Sequence, residues 1–551
     1  MGNGISSYSK EILKGTSWSL IGNIFFKLLS FVYVIVLARM ATQDDIGIFY
    51  LVLSIIGLLA LFVDLGFSQS FARYIPYFKA RKENQNILKL LKSSYAISIL
   101  LALFFSFLLF WQADFITDQY QNNNLKTALV LLIPYLALYV LFHLNVTFFQ
   151  GQKDVRAMVL TNNLQNATKL LFSLGLFLFA GADILTISIS FLVSFLVAVL
   201  VSLFFVYSNV KKLDKMPSEA GHTYPQLLRE ILPFSLMLTV VTSLWTIITS
   251  LDRIMIGFLL PPDISASQVA IYSISTSLAT LLMIFPGAIG TMFFPVVSQL
   301  VGENKIKEIQ ETCSTSIRWV LFITVPFMLV LVIFSTQILT MFYGASYVTG
   351  ALAMSIFTMG LLIRSLSMLH SYVLASMRLI MVEMKVAMTA AFANIVLNTI
   401  SIPVFGIEGA ATASAISFSI ATILFFYYGK KHFDFSLDRG AWQLIFAAIF
   451  SFAVVFLLEP YISGIIPMLP ETGIDYLDKV LMLSVLAALF LISVSIFALL
   501  SILTKSLKGE DLSILSSALR RAKVPKSIIS KLETLVSYGI HSSEAKKANS
   551  A

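Results

Sequence analysis

Long apolar stretches, separated by short polar connections, account for most of the chain. Fourteen of these stretches have the roughly 20 residues that an α-helix needs to cross about 30 Å of hydrocarbon. The predicted membrane-spanning helices are residues 16–38, 46–66, 93–113, 125–149, 157–180, 185–207, 229–257, 268–294, 317–340, 351–373, 385–404, 409–428, 442–463 and 479–503. The pattern therefore predicts an all-α integral membrane protein with fourteen transmembrane helices.

The connections between these stretches alternate in charge. One set is rich in Lys and Arg, as in "FKARKENQNILKLLK" and "GKKHFDFSLDR", and the other set, as in "YGASY" and "GIE", has almost none. Of the 38 Lys and Arg residues, 31 lie on the first side. Because basic connections tend to face the cytoplasm, the pattern predicts a multi-pass protein of the cell membrane with both termini cytoplasmic.

Composition agrees with this prediction and excludes several function classes. The chain is 58% hydrophobic and 12% charged, whereas soluble proteins are about 25% charged. Its net charge of +9 comes mainly from connections that face anionic lipid, so we expect no nucleic-acid partner. One cysteine and five scattered histidines predict neither a disulfide framework nor a metal site. Without a GxxxxGK[ST] motif, the chain has no P-loop of its own for nucleotide-driven work.

The two halves of the chain resemble each other. Aligning "FFQGQKDVRAMVLTNNLQNATKLLFSLGLFLFAGADILTISISF" with "VLASMRLIMVEMKVAMTAAFANIVLNTISIPVFGIEGAATASAI" places Gly181 on Gly406 and Lys153 on Arg378, a shift of 225 residues. Each copy contains six predicted helices, and an even number returns the chain to the same side of the membrane. The copies are therefore predicted to be parallel repeats about an axis along the membrane normal.

The duplication predicts the domain organisation. The predicted domains are an N-terminal six-helix lobe at 1–215, a C-terminal six-helix lobe at 216–435, two additional transmembrane helices at 436–503 and a cytoplasmic, amphipathic basic tail at 504–551. Two short helices that lie on the membrane surface fit the tail, and a loosely ordered basic segment fits it equally well.

Three cations, Lys27, Lys169 and Arg364, lie near the middle of predicted spans, where each costs about 2.5–3.5 kcal/mol on insertion scales. Polar residues share a helix face with each of them. Polar stripes in both halves predict a water-accessible cavity between the repeats, whose surplus positive charge attracts an anion such as phosphate. The predicted substrate-binding residues are Lys27, Lys169, Arg364, Arg253, Asn23, Asn166, Asn394 and Asn398.

Three of the four cations in this set also have a purely structural interpretation. Lys27 and Arg364 could link helices through backbone carbonyls or a carboxylate. Arg253, close to a membrane interface, could extend its side chain to the surface or pair with Asp252 or with another helix.

Residues 10–435 resemble the polysaccharide-transporter branch of the multidrug/oligosaccharidyl-lipid/polysaccharide (MOP) exporter superfamily, the family of Wzx-type flippases. The resemblance is carried by "GTSWSLIGNIFFKLLSFVYVIVLARMATQDDIGIFY", "DLGFSQSFARYIPYF", "LDRIMIGFL", "FYGASYVTGALAM" and, most specifically, "NIVLNTISIPVFGIEGAATASAIS". It implies two six-helix lobes around a cationic cavity that opens alternately to the two membrane faces. It also implies that helices 13 and 14 can provide a groove for a lipid tail.

One departure from the family concerns helix 1. The related lipid II flippases have an Arg-Asp pair where this chain has Tyr33 and Val34. The departure argues against a peptidoglycan precursor as substrate and leads us to expect that the cation has moved to Lys27.

Together, these features predict a flippase, not an enzyme. Its predicted substrate is an isoprenoid-(pyro)phosphate-linked oligosaccharide, moved from the cytoplasmic to the outer leaflet by alternating access for polysaccharide or glycoconjugate biosynthesis. The expected partners are this lipid-linked saccharide phosphate and membrane lipids, and a monomer is sufficient. No cofactor is expected, and H⁺ and Na⁺ both remain candidates for a coupling ion.

Two other functions remain alternatives. A drug/cation antiporter of the same superfamily needs buried carboxylates, which are few in the predicted spans. A membrane glycosyltransferase or polymerase that acts on lipid-linked glycans needs larger outer loops and a carboxylate base.

Overall fold

The computed structural model describes residue 22 and residues 25–217, 222–465, 475–504 and 506. Within these ranges every regular element is helical. The helices are α1 (25–40), α2 (Gln43–Asp64), α3 (Phe67–Ala80), α4 (Asn84–Trp111), α5 (Ala113–Tyr120), α6 (Asn123–Gln152), α7 (Val155–Ala180), α8 (Ile184–Asp214), α9 (Tyr224–Leu259), α10 (Pro262–Ala279), α11 (Ile284–Gly302), α12 (Ile306–Ile333), α13 (Ser335–Tyr343), α14 (Ala351–Ser376), α15 (Ile380–Phe433), α16 (Arg439–Ile465) and α17 (Asp475–Leu503). Asn23 and the predicted tail beyond Ser506 lie outside the described residues.

Eleven helices in the described part of the chain are long and apolar enough to cross a membrane, which identifies a multi-pass membrane protein. α7 is not among them, because polar residues such as Asn166 and Lys169 lower its apolar content. α1 is described only from residue 25, and α15 is counted once although it covers two predicted spans. The all-α membrane class is therefore confirmed for the described residues, and the count of fourteen stays a prediction.

Backbone breaks recur at matching positions of the two predicted copies. Gly406, with φ 59°, interrupts α15, and Gly181, with φ 85°, follows the last residue of α7. Lys153 follows α6 with φ 60°, and Arg378, shortly before α15, has φ 61°. Both pairs are 225 residues apart. Because a positive φ is uncommon for residues other than glycine, this recurrence supports the predicted duplication.

The chain divides into two compact units. The first contains the chain up to Ile274 together with Ala391–Ala410, and the second contains Ser275–Ala390 and the chain from Ala411 onward. This division differs from the predicted lobes, because α9 packs against α2 and α3 within the first unit. The two lobes, as copies of a duplication, stay a prediction.

A tight corner joins α2 to α3 in the first unit. The Asp64 carboxylate at the end of α2 accepts hydrogen bonds from the backbone N–H (3.3 Å) and the hydroxyl (2.6 Å) of Ser68. Gly66 forms the corner with φ 74°, and a Cβ atom there would lie 2.3 Å from the carbonyl oxygen of Ser235. Only glycine allows this approach, so the corner packs directly on the α9 backbone.

In the second unit, α16 and α17 pack on α12. Arg318 of α12 is 1% exposed, and its guanidinium forms an ion pair with Asp438, one residue before α16. The guanidinium also donates to the Thr315 hydroxyl (3.1 Å), while the carboxylate accepts a hydrogen bond from the Ala441 backbone N–H (2.9 Å). The ion pair therefore attaches the start of α16 to α12.

Replacing Arg318 by alanine is expected to lower the free energy of unfolding by about 3 kcal/mol, because the partner charge is left without compensation. The loss can be measured as a lower Tm and a shifted denaturant midpoint of the purified protein in detergent. Arg439→Ala, at an exposed arginine next to Asp438, is the control and should change stability little. Equal losses in the two variants would contradict the structural role of the ion pair.

Candidate functional site

Lys169 is the most deeply buried of the predicted cations that the structure describes. Its side chain is 9% exposed, and its Nζ lies 4.5 Å from the ring centroid of Tyr33 in α1. In the described ranges no carboxylate lies within ion-pair distance of this Nζ. A cation over an aromatic ring gains about 0.5–2 kcal/mol, which is less than the cost of about 2.5–3.5 kcal/mol at mid-membrane. The contact with the ring alone therefore does not offset the cost of burying this cation.

A second contact between α1 and α7 holds this cation in place. The Ser30 hydroxyl donates a hydrogen bond to the Asn166 side-chain oxygen at 2.8 Å. Ser30 and Tyr33 are three residues apart on α1, and Asn166 and Lys169 are three residues apart on α7, so each pair shares one helix face. The predicted site residues Asn166 and Lys169 therefore lie together. Sequence analysis did not assign Tyr33 a role, although its spacing from Ser30 was a usable signal.

Other polar side chains of α7 face α8. Gln165 donates its side-chain N–H to the Ser194 hydroxyl at 3.2 Å, and the Ser173 hydroxyl donates to Ser190 at 2.9 Å. The bond from Ser173 to Ser190 links α7 to α8 and lowers the cost of burying both hydroxyls.

Lys27 differs from Lys169 in its surroundings. Its side chain is exposed, and the structure does not place it against Tyr33. The position over Tyr33 is taken by Lys169, and the expectation that the cation of helix 1 has moved to Lys27 stays a prediction. The substrate-binding role of Lys27 stays a prediction, and its predicted neighbour Asn23 lies outside the described residues.

Asp252 of α9 forms a fully buried polar cluster in the first unit. Its carboxylate accepts hydrogen bonds from the Tyr272 hydroxyl (2.6 Å) and from the amide nitrogens of Asn398 (2.7 Å) and Asn394 (3.3 Å). The two asparagines were predicted to bind substrate. In the structure their amide N–H groups donate to the Asp252 carboxyl group, an acid that can bind a proton or a cation.

One atom of this cluster has no hydrogen-bond partner in the described part of the chain. It is the side-chain oxygen of Asn398, which is buried. A buried acceptor beside a carboxylate is the oxygen chemistry that a small hard cation binds. Asp252 was noticed in the sequence only as a neighbour of Arg253, because its asparagine partners are more than 140 residues away in the chain.

Arg253 is half-buried on α9 and reaches α2. Its Nη1 donates to the Ser54 hydroxyl at 3.1 Å, and its guanidinium carbon lies 5.9 Å from the ring centroid of Tyr50. Its Nε is buried and makes no hydrogen bond to any residue that the structure describes. Arg253 thus retains a free donor, as a site residue requires, and also links two helices. Its substrate-binding role stays a prediction.

Arg364 belongs to the second unit. Its guanidinium carbon lies 5.2 Å from the ring centroid of Phe418, and its charge interacts with the Glu383 carboxylate. That carboxylate accepts a hydrogen bond from the Ser371 hydroxyl at 2.7 Å. Sequence analysis missed Glu383 because it lies in a connection that we counted as basic. Arg364 therefore has a nearby acid, unlike Lys169, and its role in substrate binding stays a prediction.

The described helices define a multi-pass membrane protein. The solved structure titled "Lipid II flippase MurJ, inward closed conformation" superimposes with a TM-score of 0.65 at 16% identity, covering 87% of this chain and 98% of that chain. At this identity the likeness concerns the fold, which is that of the MOP exporter superfamily.

The chain belongs to the family described as "Polysaccharide biosynthesis protein", which it matches over residues 12–301, and is a Wzx-type member of the MOP superfamily. Residues 238–400 also match the family described as "MatE". A membrane protein of Methanocaldococcus jannaschii is 24% identical over 85% of this chain and 94% of its own length. The Haloferax volcanii protein named "Probable low-salt glycan biosynthesis flippase Agl15" is 26% identical over 32% of this chain and 37% of its own length.

Proposed function

We propose that this protein is a flippase that moves an isoprenoid-(pyro)phosphate-linked oligosaccharide across the cell membrane by alternating access. The family match to polysaccharide biosynthesis proteins supports this function, as do the names of the Haloferax relative and of the MurJ structure. The protein acts as a transporter and makes or breaks no covalent bond. It serves the synthesis of a polysaccharide or glycoconjugate on the outer side.

The observation that carries the proposal is Lys169, buried over Tyr33 without a carboxylate partner in the described ranges. A phosphate or pyrophosphate that binds there supplies the missing negative charge, and a charge-assisted hydrogen bond is about twice as strong as a neutral one. Asn166 is held beside the cation by Ser30, and its side-chain nitrogen donates to the Asn162 carbonyl oxygen at 3.3 Å, which leaves one amide N–H for the saccharide or the phosphate. Neutralising the headgroup charge lowers the barrier to moving it through a medium of low dielectric constant.

The Asp252 cluster supplies a second charge of opposite sign, which fits a coupling ion. A proton can bind the carboxylate, and Na⁺ can bind the carboxylate together with the Asn398 oxygen, which accepts no hydrogen bond in the described chain. A transporter that binds an anionic substrate and a cation at different sites can use the cation gradient to reset its cycle. Both H⁺ and Na⁺ fit this cluster.

The direction of transport follows from the distribution of basic residues. With 31 of 38 Lys and Arg on one side, the positive-inside rule orients the basic connections and both termini toward the cytoplasm. The substrate then enters from the cytoplasmic leaflet and leaves into the outer leaflet.

The test uses purified protein in liposomes that contain a fluorescent isoprenoid-pyrophosphate-linked disaccharide, with headgroup orientation measured by protection from an added reductant. The wild-type protein should move the lipid, and the double variant Lys169→Ala, Arg364→Ala should move it no faster than empty liposomes. The same saccharide on a neutral glycerolipid should not be moved. Equal transport of the phosphate-bearing and neutral lipids, or normal transport by the double variant, would contradict the proposal.

A further inference from the structure

α3 carries a row of exposed basic and aromatic side chains that the proposed substrate site does not use. Arg73, Tyr77 and Arg81 follow one another at intervals of four residues, so they lie along one side of the helix and its end. They belong to the connection between the predicted spans 46–66 and 93–113, which is predicted to face the cytoplasm. We call these three residues the α3 surface.

Both arginines of the α3 surface are stacked on aromatic rings. The Arg73 guanidinium carbon lies 4.0 Å from the ring centroid of Phe234 in α9, and the Arg81 guanidinium carbon lies 4.4 Å from that of Tyr77. Stacking leaves the edge of a guanidinium, where its N–H donors point, available for hydrogen bonds. Arg73 makes no hydrogen bond and no ion pair with any residue that the structure describes. The Phe234 ring therefore orients a guanidinium whose donors are unused in the described chain.

Nearby carboxylates do not neutralise this surface. Residues 67–83 contain four basic residues and one acid, Glu83. The Glu83 carboxylate lies 4.0 Å from an Arg81 nitrogen, at the limit of an ion pair, and the Arg81 side chain is 58% exposed, so this pair contributes little. Glu230 of α9 makes no ion pair with Arg73. The α3 surface thus keeps positive charge that complements an anionic ligand.

We propose that the α3 surface is a docking site for the phosphorylated saccharide headgroup of a lipid, which binds there before it reaches Lys169. This inference rests on the proposed function, which supplies the headgroup. An arginine held flat on a ring presents parallel N–H groups that bind a phosphate in a bidentate manner. The part of the Tyr77 ring that Arg81 leaves uncovered packs against the C–H face of a pyranose, and the Tyr77 hydroxyl binds the sugar hydroxyls.

The layout of the α3 surface favours a headgroup that is longer than one phosphate. The eight residues from Arg73 to Arg81 correspond to about 12 Å along a helix axis, at about 1.5 Å per residue. A phospholipid headgroup offers one phosphate and no flat sugar ring, whereas a pyrophosphate-linked saccharide offers two phosphates followed by a sugar ring. The saccharide therefore accounts for the exposed Tyr77 between the two arginines, and a phospholipid does not.

The test measures binding of a soluble probe, a disaccharide linked by pyrophosphate to a short isoprenoid, to the full-length protein in detergent by isothermal titration calorimetry. Lys169→Ala is the parent protein, so the cation over Tyr33 does not contribute to binding. In this parent, Arg73→Gln and Tyr77→Leu should each weaken binding about tenfold. Arg156→Gln is the control, because it removes an exposed arginine of another basic connection that stacks on no ring in the described chain, and it should change binding less than about twofold.

A second probe separates a saccharide site from a surface that binds anionic lipid. Dihexanoyl phosphatidylglycerol has one phosphate and no sugar ring, so Tyr77→Leu should weaken binding of the saccharide probe and leave binding of this lipid unchanged. If Arg73→Gln does not fold, Arg73→Lys, which keeps the charge but loses the planar fork, replaces it and should weaken binding several-fold. Unchanged binding of the saccharide probe by the Arg73 or Tyr77 variant, or equal weakening of both probes by Tyr77→Leu, would overturn the proposal. Because binding is measured without transport, this result is independent of the liposome test of the proposed function.

Discussion

Lys169→Ala should reduce transport of an isoprenoid-phosphate-linked saccharide at least about 100-fold while leaving the protein folded. The variant removes a buried cation that has no carboxylate partner in the described chain, so it creates no unpaired acid. We assume that a bound anion offsets most of the insertion cost of Lys169, which is about 2.5–3.5 kcal/mol. Losing this interaction should then reduce transport about 100-fold, because each 1.4 kcal/mol is a factor of ten. Transport can be measured in liposomes beside Tm in detergent.

Matched variants show whether the effect comes from charge at this position. Lys169→Arg keeps the charge and should retain part of the activity. Lys126→Ala removes a half-exposed lysine that pairs with Asp114 at a helix end, and it should transport normally. Tyr33→Leu removes the ring beneath the ammonium and should cost less than Lys169→Ala. Normal transport by Lys169→Ala would exclude Lys169 as the anion-binding residue.

Asp252→Asn should abolish the stimulation of transport by a cation gradient. The substitution keeps the size of the side chain but removes the negative charge that a proton or Na⁺ needs, and coupling between two ligands typically amounts to 5–150-fold. Transport by the wild-type protein should therefore respond to either an imposed pH gradient or an imposed Na⁺ gradient, and Asp252→Asn should respond to neither. The identity of the effective gradient distinguishes the two ions.

Two further measurements separate coupling from substrate binding. Binding of the lipid-linked saccharide to detergent-solubilised Asp252→Asn should remain within about threefold of wild type, because the cluster carries no positive charge for the phosphate. Asp263→Asn, at an exposed aspartate at the start of α10, should couple normally. If Asp252→Asn keeps a full response to the gradient, this cluster is not the coupling site.

The fold class could be predicted because a membrane imposes strong rules on sequence. A span must be long, apolar and helical, and most predicted spans are found as helices. The exceptions have a physical cause. α7 fails a test of apolar composition because it carries the polar stripe with Lys169, and α15 contains two predicted spans that meet at a kink at Gly406. The polar stripe of α7 marks a candidate site, and the same stripe lowers the apolar content of α7, so that composition alone does not identify this helix as a membrane span.

The candidate site could be predicted only in part. Lys169 and Asn166 were identified because a polar side chain in a membrane span costs free energy, and such residues usually have a function there. Asn394 and Asn398 were identified for the same reason but were assigned to the substrate, whereas they bind the Asp252 carboxylate. Polarity shows that a residue needs a partner, but it does not show the charge of that partner.

By itself, the sequence determined that this protein is an all-α, multi-pass membrane protein with cations where lipid makes them costly, and it predicts an internal duplication. These properties depend on composition, periodicity and local spacing, which are present in the sequence however the helices pack. Only the tertiary structure decided that Lys169 lies over Tyr33 and that Asp252 accepts hydrogen bonds from Tyr272 and two asparagines. These contacts join residues 20 to 146 positions apart, and such pairs depend on how helices pack, which no local pattern specifies.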